Sequence, residues 1–418
     1  MKSNPLLLHI FLCVYLFSPA CEYLPWQSGS SLNYTPSYRS EALPDTSAAP
    51  EVRKTKLRLA FVGDLMCHQM QYEYAKTPTG AYDFNPSFEY IRPYLQEADI
   101  CFGNLETVFA GREDGRQYSG HPAFNSPDSY ATALKQAGFD LVFTANNHAA
   151  DRGHYGIKRT LSVLDSVGIQ HAGSYASLDS NSAIPVFEWQ NLRLVVLAYT
   201  DPLNSSKPSA FKGWINRVSK SKIEADLTKA RALSPDLIIV HYHFGKEYER
   251  TPNQSQKQWA NWAFEHGADL VIGEHPHVLQ PLMQVNHNSP RTHKGVLAYS
   301  LGNFIAHQFQ PYTNASVILF VEFERSLSSQ PLTLVKSEVL PIYTSLVSNK
   351  KMTQHVVFPS QLAQLYKYKH QPPPPLTEFP KLKAYQWSKM QEAYLQTTTS
   401  AIQDTNGISL YSILTPPL

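Results

Sequence analysis

Charge of either sign is scarce in this sequence, and so is cysteine. Of 418 residues, only 17% are Asp, Glu, Lys or Arg, and the formal net charge is +2. A nucleic-acid partner calls for a clustered basic face, which so even a balance does not supply. Cysteine occurs four times, at Cys13, Cys21, Cys67 and Cys101. The first two belong to the N-terminal leader. The other two each sit beside an apolar run and read as small core residues at strand ends; in an oxidising compartment they have the option of one bridge. No apolar stretch is long enough to cross a bilayer as a helix. The G-x-S-x-G elbow of serine hydrolases is missing, and so is a P-loop, so neither serine hydrolysis nor nucleotide-driven ligation is encoded here.

What is present is a globular composition, 43% hydrophobic, with 24 Tyr, 20 Phe and 16 His. Lys2 and the apolar run Leu6–Phe17 form a signal-like leader. Ala20–Cys21 then resembles a bacterial lipobox, with Pro19 and Ser18 departing from its usual residues. Cys21 is the expected lipidation site, and ordinary secretion or an uncleaved anchor are the other readings. The expected location is the bacterial cell envelope, as an exported, membrane-anchored lipoprotein, or a periplasmic or secreted protein. Residues 22–55 are polar and aperiodic and read as a flexible tether. The body is expected over 56–345. Residues 346–418, with the Pro-rich "QPPPPLTEFP" (371–380), are expected to form a C-terminal appendage flanked by short helices at 359–368 and 381–396.

Between 57 and 324 strands alternate with helices. Strands are expected at 57–64, 98–106, 139–148, 192–200, 236–245, 268–277, 295–304 and 316–324. Helices are expected at 126–138, with Ser126 as N-cap and Pro127 in the first turn, and at 155–168, 216–233 and 255–267. The pattern predicts an α/β fold with a layered sheet core.

The strand ends carry the chemistry, because ligands of α/β sheets collect beyond the carboxyl ends of strands. The first strand leads into Asp64 and His68, and the second into Asn104 and Glu106. The third leads into Asn146, Asn147, His148 and Asp151. Later strands lead into His241, His243, Lys246 and Glu247, then Glu274, His275 and His277, and finally Asn303. Such groups are costly to bury singly but satisfy one another around a cation. Nitrogen and oxygen donors without thiolate suit Mn²⁺, Fe or Zn²⁺, as one or two ions. His275 and His277 are expected to alternate on extended chain across Pro276. His241 and His243 share one face of their strand. For Asp151, capping the helix that follows it is the bland alternative to a role in the site.

At these residues the sequence resembles the CapA family of poly-γ-glutamate capsule biosynthesis proteins. The matching pieces are "FVGDLM", "GNLET", "TANNHAADRG", "HYHFGKEY", "GEHPHVLQP" and "YSLGNF", in order over roughly 57–306. The resemblance implies a metallophosphatase-like α/β/β/α sandwich, similar to calcineurin-like phosphoesterases. It implies His148 as the catalytic acid. Metal ligands are expected among Asp64, His68, Glu106, Asn147, His241, His243, His275 and His277. Substrate-binding groups are expected at Asn104, Asp151, Lys246, Glu247 and Asn303. The Asp-x-His pattern of the phosphoesterases is absent, since Leu65–Met66 follow Asp64, and His68 is the candidate for that place.

Two functions follow. One is a metal-dependent hydrolase of phosphoester type, acting on an anionic polymer or phosphoester by activated water. The other is a non-catalytic envelope lipoprotein that binds the polymer or scaffolds a membrane capsule synthase. Without a P-loop, any ATP-using partner must be a separate chain.

Overall fold

A computed structural model describes residues 54–178, 184–287, 289–327, 329–348, 353–361, 384–400 and 407–411. The leader with Cys21, nearly all of the tether, the Pro-rich 371–380 and most of the expected helix 359–368 lie outside these residues. All described residues belong to one compact unit, Val52–Leu418. No described helix is long and apolar enough to cross a membrane.

The chain first lays down four parallel strands, β1 (Thr55–Leu65), β2 (Ile100–Leu105), β3 (Leu141–Phe143) and β4 (Gln170–Ala172). Their crossovers hold α1 (Gln69–Ala75), α2 (Arg92–Leu95), α3 (Ser129–Ala137) and α4 (Gly153–Val167). A second sheet follows, from β5 (Val186–Trp189), β6 (Leu192–Thr200), β7 (Leu237–His243), β8 (Leu270–Glu274), β9 (Leu282–Asn286) and β10 (Lys294–Ala298). Its helices are α5 (Lys220–Ala232) and α6 (Gln254–Glu265). The chain then returns to the first sheet with β11 (Asn303–Ile305), β12 (Ala315–Arg325), β13 (Thr333–Ser348), β14 (Thr353–Pro359) and β15 (Ser409–Leu410). Helix α7 (Ala384–Ser400) lies between the last two strands. The first sheet is ordered β14-β13-β12-β1-β2-β3-β4, with β11 also on β1 and β15 on β13; the second is β5-β6-β7-β8-β10-β9.

The two sheets share one core. Period-2 alternation sends Leu59 and Phe61 of β1, Phe102 of β2, Ile239 of β7 and Ile272 of β8 into it. Phe61 stacks on Phe102 at 4.7 Å, and Phe102 on Phe143 at 6.0 Å. The opposite face of the second sheet, with Ile238, Val240 and Tyr242, packs on Ile223 and Leu227 of α5 and Ala260 and Ala263 of α6. Each such ring or aliphatic chain contributes about 1.5–3 kcal/mol by leaving water. Helices outside two face-to-face sheets give the expected layered α/β/β/α order.

Several expected elements differ in detail. Helix α3 starts at Ser129, after Ser126 turns its Oγ to Thr107 Oγ1 at 2.6 Å and not to a helix amide. The run 295–304 is two strands in different sheets, β10 and β11, broken at Gly302 with φ +77°. The expected boundary at 345/346 falls inside β13, and β14 and β15 extend the same sheet. Pro341 hides β13 in the sequence, because proline argues against an inner strand. It is tolerated because β14 pairs only from Ile342 onward, and Pro341 O still accepts the Ser360 amide at 2.8 Å.

The return from β10 to β11 depends on Gly63. Gly302 O accepts the Asp64 amide at 3.0 Å, and a Cβ on residue 63 would sit 1.6 Å from that same oxygen. Backbone cannot move aside as a flexible side chain can. Gly63→Ala is therefore expected to cost at least about 3 kcal/mol. Thermal or urea unfolding checks this, and a change below 1 kcal/mol would contradict the close approach.

Candidate metal centre

The carboxyl ends of β1, β2, β7 and β8 and the loop after β3 meet at one rim. Asp64 ends β1, where the register against β2 shifts between Phe61 and Asp64. Its Oδ1 accepts Asn104 Nδ2 at 2.8 Å. His277 Nδ1 lies 2.9 Å from Asp64 Oδ2 and 3.0 Å from Asn303 Oδ1. Asn303 spends its own Nδ2 on Gln308 Oε1 and Thr313 O, which turns its oxygen to the imidazole. These acceptors place the His277 proton on Nδ1 and leave Nε2 as a lone pair, 3.8 Å from Glu106 Oε1. A carboxylate behind a ligating histidine is the arrangement that orients and strengthens it.

His243 is held from both sides. Asn104 Nδ2 donates to its Nδ1 at 3.2 Å, and its Nε2 lies 2.9 Å from Asn147 Oδ1, where the two can face one cation. Asn146, the first Asn of the "NNH" in "TANNHAADRG", orders this loop. Its Nδ2 donates to Leu105 O at 2.7 Å and to Asn104 Oδ1 at 3.2 Å, and its Oδ1 accepts the His148 amide. His148 Nδ1 donates to Asp151 Oδ2 at 2.8 Å, and its Nε2 points to Glu106 Oε1 at 4.0 Å. Phe124 packs edge-on against that ring at 4.6 Å. Asp151 does not cap α4; its Oδ2 also accepts the Phe124 amide.

Glu106 lies among these groups, fully buried, and neither of its oxygens has a hydrogen-bond donor. Burial, and then the Asp64 carboxylate beside it, push its pKa well above the ordinary range. Burial pushes His275 down to about 3 and His243 well below its usual value, so both stay neutral donors. His275 Nδ1 has no partner. Three sets of ligand atoms lie close enough to share a cation: Glu106, His243 and His275; Asp64, Glu106 and His277; and Glu247, His275 and His277. Glu106 belongs to two of them, which suits a carboxylate bridging two ions. The donors are nitrogen and oxygen. The Cys67 thiol is buried and pushed up to about 12, and burial also raises Cys101 well above its usual value, so no thiolate competes. An orphaned carboxylate among neutral imidazoles fits a divalent cation of intermediate hardness.

Some candidates stand elsewhere. His68 begins α1, where its amide and Nδ1 face Gln71 Oε1 and its Nδ1 accepts the His307 amide. It joins none of the three sets. His241 stacks on Phe143 at 4.0 Å, extending the aromatic column of the core, and it too lies outside the sets. Sharing a strand face with His243 did not bring it to the rim, because two residues back along β7 is already core. His275 and His277 are not on extended chain, as β8 ends at Glu274 and both have positive φ, 103° and 59°. Tyr248 beside them has φ 64°. Such backbone costs on the order of 1–3 kcal/mol per residue and gathers at functional sites. Lys246 is exposed and pairs with Glu249 at 2.7 Å.

Of two further rim residues, Asn204 carries no sequence signal, whereas Glu274 is one of the strand-end carboxylates and stood outside the expected ligands. Asn204, in the loop after β6, donates its amide to Asn147 O at 2.9 Å, and its Nδ2 lies 3.4 Å from His148 Nε2. Glu274 is buried with Oε2 unpartnered, its pKa raised by burial.

Residues 58–308, more than half of the chain, match the family described as bacterial capsule synthesis protein PGA_cap, and the chain belongs to that family. It is 25% identical to the capsule biosynthesis protein CapA of Bacillus anthracis over 72% of each chain. It is 26% identical to the PGA biosynthesis protein CapA of Bacillus subtilis (strain 168), over 73% of this chain and 79% of that one. A solved structure similar to it is the calcineurin-like phosphoesterase YfkN of Bacillus subtilis. The TM-score is 0.41 at 13% identity, over 69% of this chain and 91% of that one.

Replacing Glu106 separates stability from metal affinity. Its raised pKa means that, without a cation, the fold is penalised above the unfolded carboxyl value near 4.3. Glu106→Gln is expected to stabilise metal-free protein at pH 7–8 by roughly 1–3 kcal/mol and to abolish stabilisation by added Mn²⁺ or Zn²⁺. Melting curves with chelator and with metal check both. The depressed histidines act on the acid side. Between pH 6.5 and about 3 the unfolded chain binds protons that His275 and His241 refuse, so metal-free protein loses stability as pH falls through that window.

Proposed function

We propose that this member of the capsule synthesis family is a metal-dependent hydrolase of phosphoesterase type that acts on an anionic capsule polymer. The observation that supports it is Glu106, a carboxylate without donors that two ligand sets share. The cation would be held by Asp64, Glu106, Asn147, His243, His275 and His277. It would supply Lewis acidity toward a phosphoryl or carbonyl oxygen and lower the pKa of nearby water.

The chain's own residues do the rest. Asp151 holds His148 by Nδ1 and aims Nε2 at the same centre as Glu106, so a proton on Nε2 is placed for an oxygen or nitrogen leaving group. Asn204 Nδ2 faces that same nitrogen and leaves it when substrate takes the place. Asn104 and Asn303 orient ligands and need not touch substrate. Glu247, exposed at the edge of His275 and His277, is placed to complete the ligand set as substrate arrives.

Export and lipid anchoring at Cys21 are part of this proposal and are supported by the leader-like run Leu6–Phe17 alone. A membrane synthase that consumes ATP is the partner expected of a chain without a P-loop.

His148→Ala is expected to lower kcat on a phosphodiester such as bis-p-nitrophenyl phosphate roughly 10²–10⁴-fold with metal content unchanged. Asp151→Asn is expected to fall between it and the wild type. Metal-loaded wild-type protein without hydrolytic activity on phosphodiester or polymer would leave the non-catalytic scaffold as the function.

A further inference from the structure

Residues 207–222, "KPSAFKGWINRVSKSK", hold five cations and no carboxylate in a chain whose net charge is only +2. The segment is the loop after β6 and the start of α5, and it borders the metal-ligand rim. Arg217 pairs by its backbone with Thr200, which is itself the strand partner of His243. Two strand spacings put Arg217 roughly 10 Å from that ligand. The other end of the loop is fixed at Asn204, against Asn147 and His148.

This segment walls an open cleft of about 810 Å³. Lys212, Arg217 and Lys222 line it, with the hydroxyls of Ser209, Ser219 and Ser221, and no carboxylate does so among the described residues. Lys222 Nζ has a partner below the surface, Asp226 Oδ2 at 3.0 Å, and the Arg217 guanidinium is fixed by the carbonyls of Thr200 and Asp201. Lys212 is exposed and has no carboxylate partner among the described residues. The cleft is therefore positive, held in shape by internal contacts, and continuous with the loop that touches the rim.

We propose that this cleft is a binding site for a linear polyanion. Lys212, Arg217 and Lys222 hold one stretch of chain while a neighbouring stretch lies at the metal-ligand rim. The second half of that statement rests on the function proposed above; binding in the cleft does not require catalysis. Repeated carboxylates or phosphates on a flexible chain suit several cations set along a groove better than a single small anion does.

The test is fluorescence anisotropy of labelled poly-γ-glutamate and, separately, labelled polyphosphate with the whole protein over a range of salt. Lys212→Glu is expected to weaken binding about tenfold or more, and each cation removed to lower the slope of log K against log salt by about one. Lys212→Gln, a milder change at an exposed position, is expected to act in the same direction. Preference for one of the two polymers identifies the repeat that the cleft takes. Unchanged affinity and slope in both Lys212 variants would overturn the cleft while leaving polymer handling elsewhere intact. Wild-type protein that binds neither polymer would overturn the cleft and the polymer as substrate, with the phosphodiester assay still judging the metal centre.

Discussion

A carboxylate buried without a donor is the constraint around which this fold is arranged. Glu106 is walled in by Asp64, His148, His243 and His277, and none of them gives it a hydrogen bond. The asparagines could have done so. Instead Asn104, Asn146, Asn147 and Asn303 bond to one another, to the backbone or to the imidazoles. These four amides are thus satisfied in a way that leaves the Glu106 carboxylate open. A protein selected only for stability would place a donor or an apolar side chain there.

The backbone around the centre tells the same story. Three non-glycine residues, Tyr248, His275 and His277, hold positive φ within a few residues of the rim. They bring imidazoles from a turn, not from a strand, and the short "EHPH" segment thereby reaches all three ligand sets at once. Gly63 and Gly302 allow β11 to press against β1 and so bring Asn303 behind His277.

Much of the site was legible because polar residues recur at six strand ends, where each would be costly to bury alone. Asp64, Glu106, Asn147, His148, His243, His275 and His277 all reach one rim. What the sequence misplaced depended on distances along an element. His241 and His243 differ by one pleat, yet the first lies in the aromatic column and the second at the edge. His68 lies only four residues beyond Asp64, and the turn into α1 carries it away. Asn204 left no trace, since a polar residue in a polar loop has no periodicity to betray it. The sheet order was hidden for a related reason. Nothing in the run 295–304 announces that its two halves belong to different sheets, and Pro341 masks the long strand that follows β12.

The late return of the chain to its first sheet has a consequence for biogenesis. Strand β1 is made early, but β11 and β12, which cover its free side, come only after the entire second sheet. A nascent chain that has finished β4 therefore carries an apolar strand with an open edge through the synthesis of more than a hundred further residues. Keeping the emerging polypeptide unfolded until its C-terminal third is available would spare it that hazard.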